Sequence, residues 1–157
     1  MTRDAFRREI GLSGLILFGL VMPMLAEAAD LSPIGLWRTF DENNELRSIV
    51  EVISIGTEFE AKVVERFPPP QDTTQGICRA CTGRRKDQPI LGMTIMWGVE
   101  SRQSENGNWG GGQILIPRTG SIYNVQLKLS ADGESLLVRG YTGTPLFGKT
   151  QTWLRVQ

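Results

Sequence analysis

From Pro33 onward the chain is written in short runs in which apolar and polar residues alternate. The clearest run spans residues 58–67. Phe59, Ala61, Val63 and Phe67 share one parity, and Glu58, Glu60, Lys62 and Arg66 the other. Successive side chains of a strand point to opposite faces, so a period of two predicts a strand with one buried side. Glu65 falls on the apolar parity and breaks the pattern. Tyr123, Val125, Leu127 and Leu129 alternate in the same way with Asn124, Gln126 and Lys128. Residues 34–40, 46–55, 90–99, 112–117, 136–141 and 148–156 bring the predicted strands to about eight.

Turn-forming residues separate these runs at 42–44, 55–57, 106–108, 118–120 and 131–133. Connections this short join antiparallel neighbours, because a parallel pair needs a crossover of roughly a dozen residues. No stretch of this region sustains helical periodicity, although the longest loop has room for a helical turn. The expected fold is all-β, a small antiparallel up-and-down barrel of the lipocalin or streptavidin (calycin) type, since closure removes exposed sheet edges. Gly35-x-Trp37 on the first strand and Arg155 on the last resemble the lipocalin arrangement, in which an N-terminal Trp packs under a C-terminal Arg. All three are expected to be structural.

The first 28 residues read as an address. Arg3, Arg7 and Arg8 form a positive start, residues 10–25 an uncharged and mostly apolar run, and Ala26-Glu27-Ala28 a cleavage site with small residues at the two recognised positions. An apolar run of about 16 residues is short of the ~20 that cross a bilayer. The expectation is a signal peptide at 1–28, cleaved by the general secretory route, and a single domain at 29–157 without a transmembrane segment. No cysteine follows the apolar run to carry a lipid anchor. A Gram-negative periplasm is the expected destination.

Charge and composition narrow the chemistry. Lys plus Arg equals Asp plus Glu at 17 each, and removing the leader leaves 14 of each sign. A neutral domain has no global field to draw it to nucleic acid, so none is expected as partner. Histidine is absent, which removes Ser-His-Asp and Cys-His nucleophile pairs and His metal sites. An enzyme would have to work through Asp, Glu, Lys, Tyr, Cys or a bound metal. Glu51, Glu60 and Glu65 show no pairing in their spacing, so no catalytic residue, metal or cofactor is assigned, and a non-catalytic role is favoured.

One connection is long, residues 68–89. It opens on Pro68-Pro69-Pro70 and holds the only cysteines, Cys78 and Cys81. A local disulfide suits an oxidising compartment. A redox centre would want the first cysteine at a helix N-terminus, and zinc would want further ligands. The structural bridge is therefore the expectation, with the redox alternative open. Arg84, Arg85 and Lys86 make the loop basic, as a patch for an anionic partner or as a solvated turn. Trp97, Trp109, Tyr141 and Phe147 fall near predicted strand ends, where they would line a barrel mouth or cap its core. Trp109-Gly110-Gly111-Gly112 reads as a bend where backbone approaches an aromatic ring.

Taken together, Pro33-Ile34-Gly35-Leu36-Trp37, Phe67-Pro68-Pro69, Cys78-x-x-Cys81-Thr82-Gly83, Gln88-Pro89-Ile90, Trp97-Gly98, the run from Trp109 to Pro117, Val138-Arg139-Gly140-Tyr141 and the run from Leu146 to Trp153 resemble the exported bacterial envelope proteins grouped as domain of unknown function family 2147. The resemblance implies a signal peptide and a small β-barrel, and no reaction. Two roles are expected to compete: binding of a small amphiphilic or lipid-like ligand at the mouth, and interaction with an envelope protein through the 68–89 loop.

Overall fold

The computed structural model describes residues 32–101 and 107–157; the expected signal peptide lies outside them. Nine strands follow in order: β1 (Gly35–Phe40), β2 (Leu46–Ile55), β3 (Glu58–Arg66), β4 (Thr94–Ser101), β5 (Asn108–Gly110), β6 (Gln113–Ile116), β7 (Ser121–Leu129), β8 (Ser135–Tyr141) and β9 (Lys149–Arg155). Every pairing is antiparallel, and the sheet closes through β3–β4 and β6–β7. β5 and β6 both sit between β4 and β7, as two halves of one interrupted strand. The barrel therefore has eight staves. Helix among the described residues is limited to two 3₁₀ turns, Gly83–Arg85 and Pro145–Phe147.

β5 occupies residues expected to be turn and bend. At the interruption, a Cβ on Gly112 would lie 2.4 Å from the Trp97 carbonyl oxygen and 2.7 Å from the Val99 nitrogen. The close approach is thus between two backbones, not between backbone and an aromatic ring. The Glu65 anomaly also resolves. Val50 pairs with Val63 but Ile49 pairs with Glu65, so Val64 is an extra residue in β3. A bulge of this kind reverses the parity beyond it, which turns Glu65 outward and gives Arg66 the inward parity of Ser48. The predicted strand at 90–99 begins only at Thr94. Residues 90–93 instead fold as a turn whose Met93 carbonyl accepts from the Val63 N–H.

Successive connections fall at alternate ends. The proximal end carries the N- and C-terminal segments and the turn at residues 130–134; the distal end carries the turn at 41–45, the long loop at 67–93, the turn at 117–120 and the loop at 142–148. Inward positions run around the wall in register, as in Val52–Ala61–Met96–Ile114–Tyr123. Trp37, Val50, Val52, Ala61, Met96, Val125 and Leu136 have no accessible surface. A lumen wide enough for water would leave area on its lining, so the axis is packed by side chains. Phe59 meets Trp109 edge-on, with ring centroids 6.2 Å apart.

Candidate functional site

The proximal end is plugged. Trp37 donates its indole N–H to the Pro33 carbonyl at 2.8 Å, and the Arg155 guanidinium lies 4.2 Å over the Trp37 ring. Arg155 also donates to the carbonyls of Gly133 (2.6 Å), Ile34 (2.9 Å) and Ser32 (3.1 Å). One planar fork thus ties both terminal segments and the β7–β8 turn across the barrel floor. Gly35 makes room for it: a Cβ there would stand 2.8 Å from Nη1 of Arg155.

The distal end is shaped by the long loop. Arg66 reaches Asp72 at 2.9 Å, and Asp72 also accepts from the Thr74 hydroxyl and backbone N–H. Burial pushes the Asp72 carboxyl up, but the Thr74 bonds and Arg66 outweigh it, so its pKa lies below the ordinary value. Further along, Cys78 and Cys81 form a disulfide whose two residues are both buried. Sγ of Cys78 touches the Pro117 carbonyl oxygen at 3.2 Å. Gly120 is pressed so closely on Ala80 that a Cβ would fall 2.0 Å from its carbonyl oxygen. The loop therefore lies on the β6–β7 turn, which accounts for Leu115 being only 2% exposed although its parity is outward. The bridged pair is thus packed between the loop and the β6–β7 turn, where it holds the loop's fold.

From this anchored base the loop returns over β4. Arg85 stacks 4.2 Å over the Trp97 ring on the outer wall. Beside it lies an open depression of about 350 Å³, lined by Arg84, Arg85, Gln88, Pro89, Leu91, Gly92, Met93 and Thr94. Two guanidinium groups face an apolar floor there, which is the chemistry for an anionic head with a short apolar tail. A second, smaller and more enclosed groove of about 230 Å³ lies over β5, β7 and β8, with Trp109, Gln126, Lys128, Leu137 and Arg139 in its lining. Among the described residues no three His, Cys, Asp or Glu side chains converge as a metal would require.

Of the residues singled out in the sequence, Trp97, Arg84 and Arg85 come together. Lys86 is turned away, donating to the Arg79 carbonyl and standing 3.9 Å from Asp87. Trp109 is largely buried beside Phe59 and borders the second groove, away from the depression. Tyr141 and Phe147 sit at the distal end but across the barrel, beside the β8–β9 connection. Gln88, Leu91, Met93 and Thr94 escaped the sequence reading. The pattern predicts a strand through Leu91 and Met93, and only the turn at Gly92 presents them to the depression.

A closed eight-staved barrel with a tryptophan–arginine plug is a lipocalin-like fold. The family model described as "Uncharacterized protein conserved in bacteria (DUF2147)" matches residues 35–155, and the chain belongs to that family. Among solved structures, it is similar to protein HP1028 from the human pathogen Helicobacter pylori, described as belonging to the lipocalin family. That match has 18% identity and a TM-score of 0.67, covering 80% of this chain and 84% of the other. At that identity the likeness establishes the fold. No curated protein matches the sequence.

Proposed function

We propose that this is a non-catalytic, periplasmic binding protein for a small amphiphilic or lipid-like ligand, held on the distal rim rather than in the lumen. The supporting observation is the depression in which Arg84 and Arg85 face Leu91, Pro89 and Met93. An anionic head would pair with the two guanidinium groups and a short chain would lie on the apolar floor. The packed axis argues against a deep pocket: an internal ligand would have to displace Trp37 or Trp153, both fully buried.

The test uses Trp97 as reporter, because the other three tryptophans are buried in the core. Titration with a monomeric alkyl phosphate should change the fluorescence in wild type and leave a Trp97→Phe variant silent. Arg84→Glu with Arg85→Glu should weaken binding at least roughly tenfold, since two charge-assisted contacts are lost and repulsion is added. Unchanged fluorescence, together with native mass spectra of periplasm-purified protein free of any bound small molecule, would exclude the site.

A second role, docking of an envelope protein on the loop, is favoured by the way the disulfide and the Arg66–Asp72–Thr74 knot hold exposed Arg79, Arg84 and Lys86 in place. Charge reversal at Arg79 and Lys86, outside the depression, separates the two: lost partner capture with intact alkyl phosphate binding would select the protein partner.

A further inference from the structure

We infer that the distal end docks onto an anionic lipid bilayer, with Leu146 and Phe147 entering the boundary between headgroups and acyl chains. These neighbours are 82% and 85% exposed, the most exposed large apolar side chains among the described residues. Water does nothing to stabilise them there, yet the turn that carries them is firmly braced. Arg139 donates from Nε to the Pro145 carbonyl at 2.6 Å, from Nη2 to the Leu146 carbonyl at 3.2 Å and from Nη1 to the Thr150 hydroxyl at 2.9 Å. The Gly148 N–H closes the turn onto the Pro145 carbonyl at 3.1 Å. A guanidinium committed to a turn that adds nothing to the core holds an apolar pair pointing outward.

The charges around this pair indicate what it meets. Lys149 follows after Gly148 and is almost fully exposed; its carboxylate neighbour is Glu42 at 3.7 Å, an exposed and weak pair. Across the barrel, Arg84 and Arg85 have no carboxylate within 4.0 Å among the described residues, and Leu91 stands 57% exposed. Acidic groups of the same end are largely engaged: Asp41 and Glu45 on Arg47, Asp72 on Arg66, and Asp87 near Lys86; Glu65, near the end of β3, has no cation within 4.0 Å among the described residues. The β8–β9 and β3–β4 connections lie on opposite sides of the ring. Two separated apolar tips with unneutralised cations suit a flat, fluid, negative surface. A two-residue tip is far smaller than the ~800 Å² per partner of a stable protein interface.

The test takes protein exported and processed by a bacterial host, its N-terminus checked by intact mass, and sediments it with phosphatidylethanolamine vesicles containing a quarter phosphatidylglycerol. Wild type should sediment with these and not with pure phosphatidylcholine. Leu146→Ser with Phe147→Ser should lower partitioning by roughly 10-fold to 100-fold, with the melting temperature unchanged. In a Phe147→Trp variant, the new indole should shift to the blue on adding the anionic vesicles. The double serine change leaves the lining of the depression intact, so the Trp97 response to alkyl phosphate should survive in that variant. Equal sedimentation of wild type and the serine variant, no shift from the new indole, or loss of a lipid-free self-association in that variant would each overturn the proposal.

Discussion

Replacing Arg155 by methionine removes the tie across the barrel floor while keeping the length and much of the bulk of the side chain. Three carbonyls lose their donor: those of Gly133, Ile34 and Ser32. The Ile34 contact is solvent-exposed and contributes least; the other two are partly buried. At about 1 kcal/mol for each of the two inner bonds and less for the outer one, the hydrogen bonds amount to ~2.5 kcal/mol. Stacking over Trp37 adds about 1 kcal/mol at a partly exposed site. Methionine recovers some of that by its own contact with the ring. The expected loss is therefore ~3 kcal/mol, about 10 °C in Tm for a domain of this size. Urea unfolding followed by tryptophan fluorescence would measure it, with an unchanged slope showing that the same surface unfolds. Arg155→Lys should recover the charge but not the three-way fork, and so fall between the two. A loss below ~1 kcal/mol, or a lysine variant as stable as wild type, would show that the plug is not what holds this end. A double-mutant cycle with Trp37→Phe should return a coupling near ~0.5–1 kcal/mol.

Gly120→Ala places a methyl within 2.0 Å of the Ala80 carbonyl oxygen on a backbone with φ of +70°; a loss of at least ~2 kcal/mol is expected by thermal unfolding, part from the left-handed backbone and part from lifting the loop. Replacing Cys78 and Cys81 together by alanine opens a very short ring, for which chain entropy contributes roughly 2 kcal/mol; limited trypsin digestion should then cut at Arg79 or Arg84–Lys86 while the barrel stays intact. Asp72 has a lowered pKa in the folded protein, so the stability it contributes is present above the unfolded aspartate value near ~4 and is lost as pH falls through the folded value. Loop protection measured by proteolysis should therefore fall below about pH 4 in wild type, and Asp72→Asn should be deprotected already at neutral pH.

Most of the barrel was legible because alternation is a local signal. β2 spans residues 46–55 as its pattern foretold, and the misplaced Glu65 marked a bulge. β5 was not legible: three residues flanked by glycine carry no periodicity, and Asn108–Gly110 is a strand only because β4 and β7 supply partners from distant parts of the chain. The site divides in the same way. Basic residues of the loop were visible, and so was Trp97, but nothing local joins residues 85 and 97; the return of the loop over β4 does that. Trp109 looked like a mouth residue beside its glycines, yet its inward parity against Leu127 sends it to the core.

The same packing that makes the fold recognisable moves its chemistry outward. In a barrel of eight staves, the interior is wide enough either for side chains or for one small ligand. Here Trp37, Trp109 and Trp153 all turn inward and are almost completely buried. Emptying even one such position costs several kcal/mol, more than a small ligand's contacts readily return once its own immobilisation is counted. A lipocalin-like wall can therefore be kept while the calyx is given up. On the proposed reading recognition falls to the distal rim, where a disulfide, an ion pair and a braced 3₁₀ turn hold charged and apolar groups in the open. Those groups contribute little to stability, and the devices that fix them act on the loops rather than on the core. Rigidity at that rim lowers the ordering cost of binding, which is what a protein with a filled core and exposed contacts needs.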